Sequence, residues 1–102
     1  LAEALRLYER GCTLGLAESC KQLGHMYFEG KGVTQDQKRG AELAEQACNA
    51  GNAVACHNLG YALDSGEGMA RDAAAARAAY MKSCDGGLES ACKKLGRPLP
   101  SK

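Results

Sequence analysis

Residues 48–60 read Cys48-Asn49-Ala50-Gly51-Asn52-Ala53-Val54-Ala55-Cys56-His57-Asn58-Leu59-Gly60. A Cys-x7-Cys pair brackets a glycine, and a Leu-Gly pair follows. The frame recurs: Cys12 and Cys20 enclose Gly15, and Cys84 and Cys92 enclose Gly87. Successive pairs are displaced by 36 residues. The repeat also extends beyond cysteine. When residues 21–56 are laid on 57–92, Leu23 meets Leu59, Gly24 meets Gly60, Gly30 meets Gly66 and Gly32 meets Gly68. Asp36 meets Asp72, Gly51 meets Gly87 and Ala55 meets Ala91, which with the two cysteine columns makes nine identities in 36 positions. Leu95-Gly96 carries the period outward. Tyr8 and Tyr80 share a column in which the middle copy has Ala44. A fixed period of this length marks stacked supersecondary units, each too small to bury its own apolar face.

At 102 residues the chain is one domain by size, yet a stack of this kind has no single globular core. The formal net charge of +1 implies no polyelectrolyte partner. Aromatic residues are 5 % and tryptophan is absent, a thin supply for stacking nucleic-acid bases. Apolar runs such as 73–76 fall far below the roughly 20 residues that span a bilayer. No basic segment followed by an apolar one heads the chain, so no signal peptide is visible. The first residue is Leu1 rather than methionine, and a processed protein or an excised fragment is expected.

Six cysteines in so short a chain favour an oxidising compartment. Repeat symmetry leaves two pairings. Each Cys-x7-Cys closes on itself, or Cys20 joins Cys48 and Cys56 joins Cys84. The second strands Cys12 and Cys92; the first uses every thiol and is preferred.

Glycine and turn residues divide the chain into six helices. The spacing of Leu5, Tyr8 and Cys12 predicts a helix over 2–14, and Gly15 a left-handed cap at its end. A second helix runs over about 17–29, with Cys20, Leu23 and Tyr27 on one face. Gly30-Lys31-Gly32-Val33 breaks it. Thr34 or Asp36 caps the next helix, which reaches about Ala50. The pattern repeats as a helix over about 53–64, a loop over 65–70, a helix over 72–85, and a short helix from Glu89 that Gly96 ends. Pro98 and Pro100 prevent continuation. Two kinds of helix therefore alternate: an A helix carrying Leu-Gly, and a B helix between. The chain opens on a B helix. The fold class is all-α, with no sheet.

The motif Ser19-x-x-x-Leu23-Gly24-x-x-Tyr27-x-x-Gly30-x-Gly32-x-x-x-Asp36 resembles the Sel-1-like repeat family. The second copy runs from Ala55 through Leu59-Gly60, Gly66, Gly68 and Asp72, with Leu63 in place of the aromatic. The Cys-x7-Cys pairs narrow the likeness to the disulfide-bearing branch, the Helicobacter cysteine-rich protein type. The resemblance implies an αα-superhelix of tetratricopeptide-like hairpins, clipped by disulfides between consecutive helices. It also implies a role in protein interaction. Members of this branch have been described as penicillin-binding proteins or weak β-lactamases, which makes Ser90-Ala91-Cys92-Lys93 worth weighing. It fits Ser-x-x-Lys, the spacing that sets a lysine one turn from a nucleophile. Its companions Ser-Asp-Asn and Lys-Thr-Gly are missing, and the equivalent positions in the other repeats do not keep the pair.

Other chemistry is poorly supported. His25 and His57 with the cysteines lack the short-spaced pair of most structural zinc sites. Asp36 and Asp72 read as helix-start carboxylates, favoured there by the helix dipole. The Gly-x-Gly loops follow no strand and are not phosphate cradles. No catalytic residue, metal ligand or cofactor is assigned.

If the A helices line the concave groove, as in tetratricopeptide stacking, Leu23 and Tyr27 fix their rotation. One outward column is then Lys21, His57 and Lys93. The next is His25 and Tyr61, and beside them lie Phe28 and Glu29. A basic column beside an aromatic one suits a peptide carboxylate. The expected protein is a non-enzymatic, monomeric scaffold, periplasmic or secreted, that binds a protein or peptide and neither nucleic acid nor membrane. The β-lactamase reading, and a structural slice of a longer array, are the rivals. The repeat solenoid spans 1–96, with a partial repeat 1–18, repeats at about 19–54 and 55–90, and a partial repeat 91–96. Residues 97–102 form a disordered tail.

Overall fold

Gly15, Gly51 and Gly87 take φ of 86°, 101° and 101°, a backbone region that residues bearing a Cβ rarely enter. At each, the glycine N–H donates to the carbonyl three residues back, and the next N–H reaches five back. In the middle copy these bonds are Gly51 to Cys48 at 2.9 Å and Asn52 to Ala47 at 3.0 Å. This paired closure satisfies the last free carbonyls of a helix and turns the chain sharply. A cysteine one turn into the next helix then lies beside the cysteine just before the turn.

The computed structural model describes residues 2–100, with helices α1 (Ala2–Thr13), α2 (Ala17–Glu29), α3 (Gln37–Asn49), α4 (Ala53–Ser65), α5 (Ala73–Asp85) and α6 (Glu89–Leu95). There is no strand among the described residues. Leu-Gly lies inside α2 and α4 and at the end of α6, where Gly96 is the left-handed C-cap. Each helix packs chiefly on its neighbours in the chain. Disulfides Cys12–Cys20, Cys48–Cys56 and Cys84–Cys92 join α1 to α2, α3 to α4 and α5 to α6, with Cα separations of 4.5, 4.5 and 4.6 Å. All six cysteines are buried.

The opposite turns, from A to B helix, are built on the Gly-x-Gly loops. Gly30 and Gly66 sit at φ 75° and 81°. The N–H of Asp36 donates to Tyr27 O, and that of Asp72 to Leu63 O, both at 2.8 Å. Their carboxylates then accept from Arg39 N and Ala75 N at 3.0 Å, so both aspartates are the expected N-caps. Asn52 caps α4 in the same way, accepting from Ala55 N at 2.9 Å.

Two hairpins are packed differently. In the first, α2 and α3 approach backbone to backbone. A Cβ on Gly40 would lie 2.8 Å from Gly24 O and 2.9 Å from Phe28 N. In the second, the Tyr80 ring lies against Gly60, where a Cβ would come within 2.7 Å of it. The core runs along the stack rather than gathering at a centre. Leu23, Leu43, Ala47, Ala55 and Leu59 form one cluster around the first two disulfides. Ala76, Tyr80 and Ala91 form another around the third, and Leu63 packs on both. The body is a slab of 39 × 30 × 17 Å.

As expected, Tyr27 packs on the same core cluster as Leu23, half-buried and with Arg39 over its ring at 5.6 Å; Met26 on α2 is buried as well. Residues 97–100 have no regular structure; Arg97 lies 3.4 Å from Asp85, and its backbone N–H donates to Cys92 O. The remainder of the predicted tail, 101–102, lies outside the described residues.

Candidate binding groove

A cavity of about 220 Å³ opens between α2 and α4, with α3 as its floor. Its floor is small and apolar because Gly24 on α2 faces Gly40, Ala41 and Ala44 on α3. The backbone contact between Gly24 and Gly40 keeps that floor low. The walls are Lys21, His25, Phe28 and Glu29 from α2, and His57, Asn58 and Tyr61 from α4. Lys21, His25 and Phe28 on α2, and Asn58 and Tyr61 on α4, follow one another at three or four residues, so each helix presents them on one face, with Glu29 and His57 beside them. Six residues named from the sequence as groove-facing thus surround one cavity. Lys93 does not line it; it is exposed on α6.

The charges are less basic than the column suggested. Lys21 pairs with Glu18 at 2.9 Å, and Glu18 also accepts from Gln22 and Asn52. Those bonds, the one to Lys21 foremost, hold Glu18 below its ordinary range. At the far end His25 lies 3.5 Å and Lys31 3.8 Å from Glu29. Burial, and then the charge of Lys94, push His57 below its ordinary value of 6.5. His57 is therefore neutral at neutral pH. Tyr61 donates its hydroxyl to Glu67 at 2.7 Å, which raises its pKa. The cavity is an apolar slot between aromatic and imidazole walls, with a paired lysine at one end and a carboxylate at the other.

One repeat further on, the equivalent space between α4 and α6 is shaped by Tyr80. It occupies the column where α3 has Ala44. Its ring meets His57 edge-on at 5.4 Å, and Lys94 lies over it at 5.3 Å. A second cavity of about 220 Å³ remains there, bounded by Asp64, Ala73, Ala76, Arg77, Tyr80, Lys94 and Leu95. The lysine that reaches this part of the groove is Lys94, and not the predicted Lys93. One signal of this difference is visible in the repeat alignment: the column Tyr8, Ala44, Tyr80 is broken only in the middle. Asn58 and the glycine-alanine floor carried no signal, since small residues have no chemistry to recognise. Ser90 and Lys93 are both exposed on α6 and line none of the described cavities.

The chain is matched by the Sel1 repeat profile at residues 1–16, 17–52 and 53–88, and it belongs to the Sel1 repeat family. Among solved structures it is similar to Helicobacter pylori cysteine rich protein B (hcpB), with a TM-score of 0.87 and 30 % identity over 89 % of this chain and 68 % of that one. A Sel1 repeat protein from Oxalobacter formigenes aligns with a TM-score of 0.89 and 35 % identity, covering 93 % of this chain and 71 % of that one. The chain also aligns with 20 % of c5321, a protective antigen of uropathogenic Escherichia coli strains, at TM-score 0.86 and 30 % identity over 90 % of its own length. No curated protein sequence matches the chain significantly. The expected all-α solenoid with three disulfides, of Sel1 type and akin to the Helicobacter cysteine-rich proteins, is thus the fold observed.

Proposed function

We propose that this protein is a non-enzymatic, monomeric scaffold that binds an extended protein segment along its A-helix groove in an oxidising compartment, periplasmic or extracellular. The observation that carries the reading is the cavity between α2 and α4, where Gly40, Ala41 and Ala44 leave space beneath Phe28, His57 and Tyr61. A slot of this size and polarity takes one aliphatic side chain of a peptide. The aromatic walls supply apolar area, and the neutral imidazole of His57 costs less to cover than a charged one would. Lys21 and Glu29 at the two ends exchange part of their present pairing, with Glu18 and with His25 and Lys31, for the peptide's polar backbone. The oxidising compartment is supported by three buried disulfides that use every cysteine.

The test is a titration with N-acetyl-leucinamide followed by backbone and side-chain NMR shifts. Saturable shifts are expected at Phe28, His57 and Tyr61. Ala44→Tyr reproduces the tyrosine of the neighbouring repeat, fills the slot, and should reduce affinity at least tenfold with the fold intact. Glu42→Lys, on the exposed face of α3, should change nothing. Binding that survives Ala44→Tyr, or that fails in Glu42→Lys, would place the ligand elsewhere and end this reading.

A further inference from the structure

The second cavity differs from the first in chemistry. Tyr80 lines it and is only 6 % exposed. Its hydroxyl is buried and has no hydrogen-bond partner among the described residues. Native proteins rarely leave a buried hydroxyl unpaired, because its desolvation is uncompensated. Arg77, Lys94 and Asp64 line the same cavity, and none of these is in an ion pair among the described residues. Burial, then Asp64 and Tyr61, raise the Tyr80 pKa, so the group remains a hydroxyl donor at neutral pH. Lys94 is exposed and lies over the ring.

We infer that this cavity is a subsite for the C-terminal carboxylate of a peptide, held by Arg77, Lys94 and the Tyr80 hydroxyl, with Asp64 accepting the terminal residue's N–H. The assignment rests on the reading that the groove takes a peptide. Two free cations and an unpaired donor match an anion with two oxygens. Asp64 distinguishes among anions. It repels a compact, highly charged group such as phosphate, whereas a peptide terminus presents an amide donor beside its carboxylate. A carboxylate in this cavity gives the Tyr80 hydroxyl the partner it lacks.

The probes are N-acetyl-alanine, N-acetyl-alaninamide, the α-amide of N-acetyl-aspartate, and N-acetyl-leucinamide, each titrated by NMR. N-acetyl-alanine should give saturable shifts at Arg77, Tyr80 and Lys94, and its amide should bind at least tenfold more weakly. Lys94→Ala and Tyr80→Phe should each weaken the acid at least threefold. Tyr80→Phe should melt no lower than the parent, since it removes an unpaired buried hydroxyl. Equal binding of acid and amide, or full affinity in Tyr80→Phe, overturns the assignment. Tighter binding of the aspartate α-amide than of N-acetyl-alanine also overturns it, in favour of a side-chain carboxylate. N-acetyl-leucinamide reports on the other cavity. Its failure while N-acetyl-alanine binds supports this site and ends the slot reading; the reverse result ends this proposal alone.

Discussion

His57 occupies the boundary between the two cavities and feels both. Burial and Lys94 disfavour its protonated form. Its pKa in the folded chain thus lies below that in the unfolded chain, near 6.5. Between the two values the unfolded chain binds more protons, so stability is full above about 6.5 and falls as the pH drops through the folded value. Glu18, also lowered, adds a loss of the same sign only at more acidic pH, below its ordinary value of 4.5. Melting temperatures measured from pH 7.5 to 5 should fall with acidification, and His57→Gln should flatten that decline. A decline unchanged in His57→Gln would assign it to other groups. The location of this histidine in the groove could be read from helical spacing. Its neutral state could not, because it depends on Tyr80 and Lys94, which arrive from two other helices. Similarly, Asp36 and Asp72 were legible as caps from their place after the Gly-x-Gly loops. Asn52 does the same work after Gly51 and was hidden inside the Cys-x7-Cys segment.

At the scale of the element, the chain alternates two kinds of joint. A disulfide closes each B-to-A turn, and packing alone closes each A-to-B hairpin. Each bridge spans a sequence separation of eight. Constraint of so short a loop in the unfolded chain contributes roughly 2.5 kcal/mol per bridge on the chain-entropy model. Helices such as α5, rich in alanine, bury little area to replace it. Circular dichroism melts in excess reductant should therefore lose the cooperative transition seen for the oxidised protein. An unchanged melt would show that packing is sufficient. The bridges were legible because an identical offset occurs three times. The cavity was only half legible. A column of equivalent positions records which way a side chain faces on its own helix. It does not record what the helix behind it contributes. Ala44 leaves a space there and Tyr80 fills one, and this separates Lys93 from the residues with which it was grouped.

The whole molecule is a thin slab whose exposed surface is large for its volume, and this bears on the serine chemistry suggested by Ser90 and Lys93. A nucleophile needs a base, an oxyanion site and a cavity that excludes water. Ser90 is exposed on a seven-residue helix and faces none of the described cavities. Turnover of a chromogenic cephalosporin should be the same for the parent and Ser90→Ala. Robust hydrolysis that disappears in Ser90→Ala would establish a working serine and overturn the scaffold reading. The stacking order, the repeat length and the all-helical class were set out by period and glycine placement. The groove's polarity was missed because the columns compare equivalent positions, whereas Lys21 and His25 each meet a carboxylate one turn away on their own helix, Glu18 and Glu29.

The alternation of covalent and packed joints also fixes how the protein responds to tension. A load pulling the two ends apart passes in series through every joint. The bridged turns cannot open, so the hairpins held at Gly24–Gly40 and Gly60–Tyr80 must part first. The bridges also withhold chain from the fully extended form, roughly 70 Å in total at about 3.5 Å per residue over three locked segments. Under load the oxidised protein is a short tether with yielding hinges at the hairpins; the reduced chain is a longer one with none.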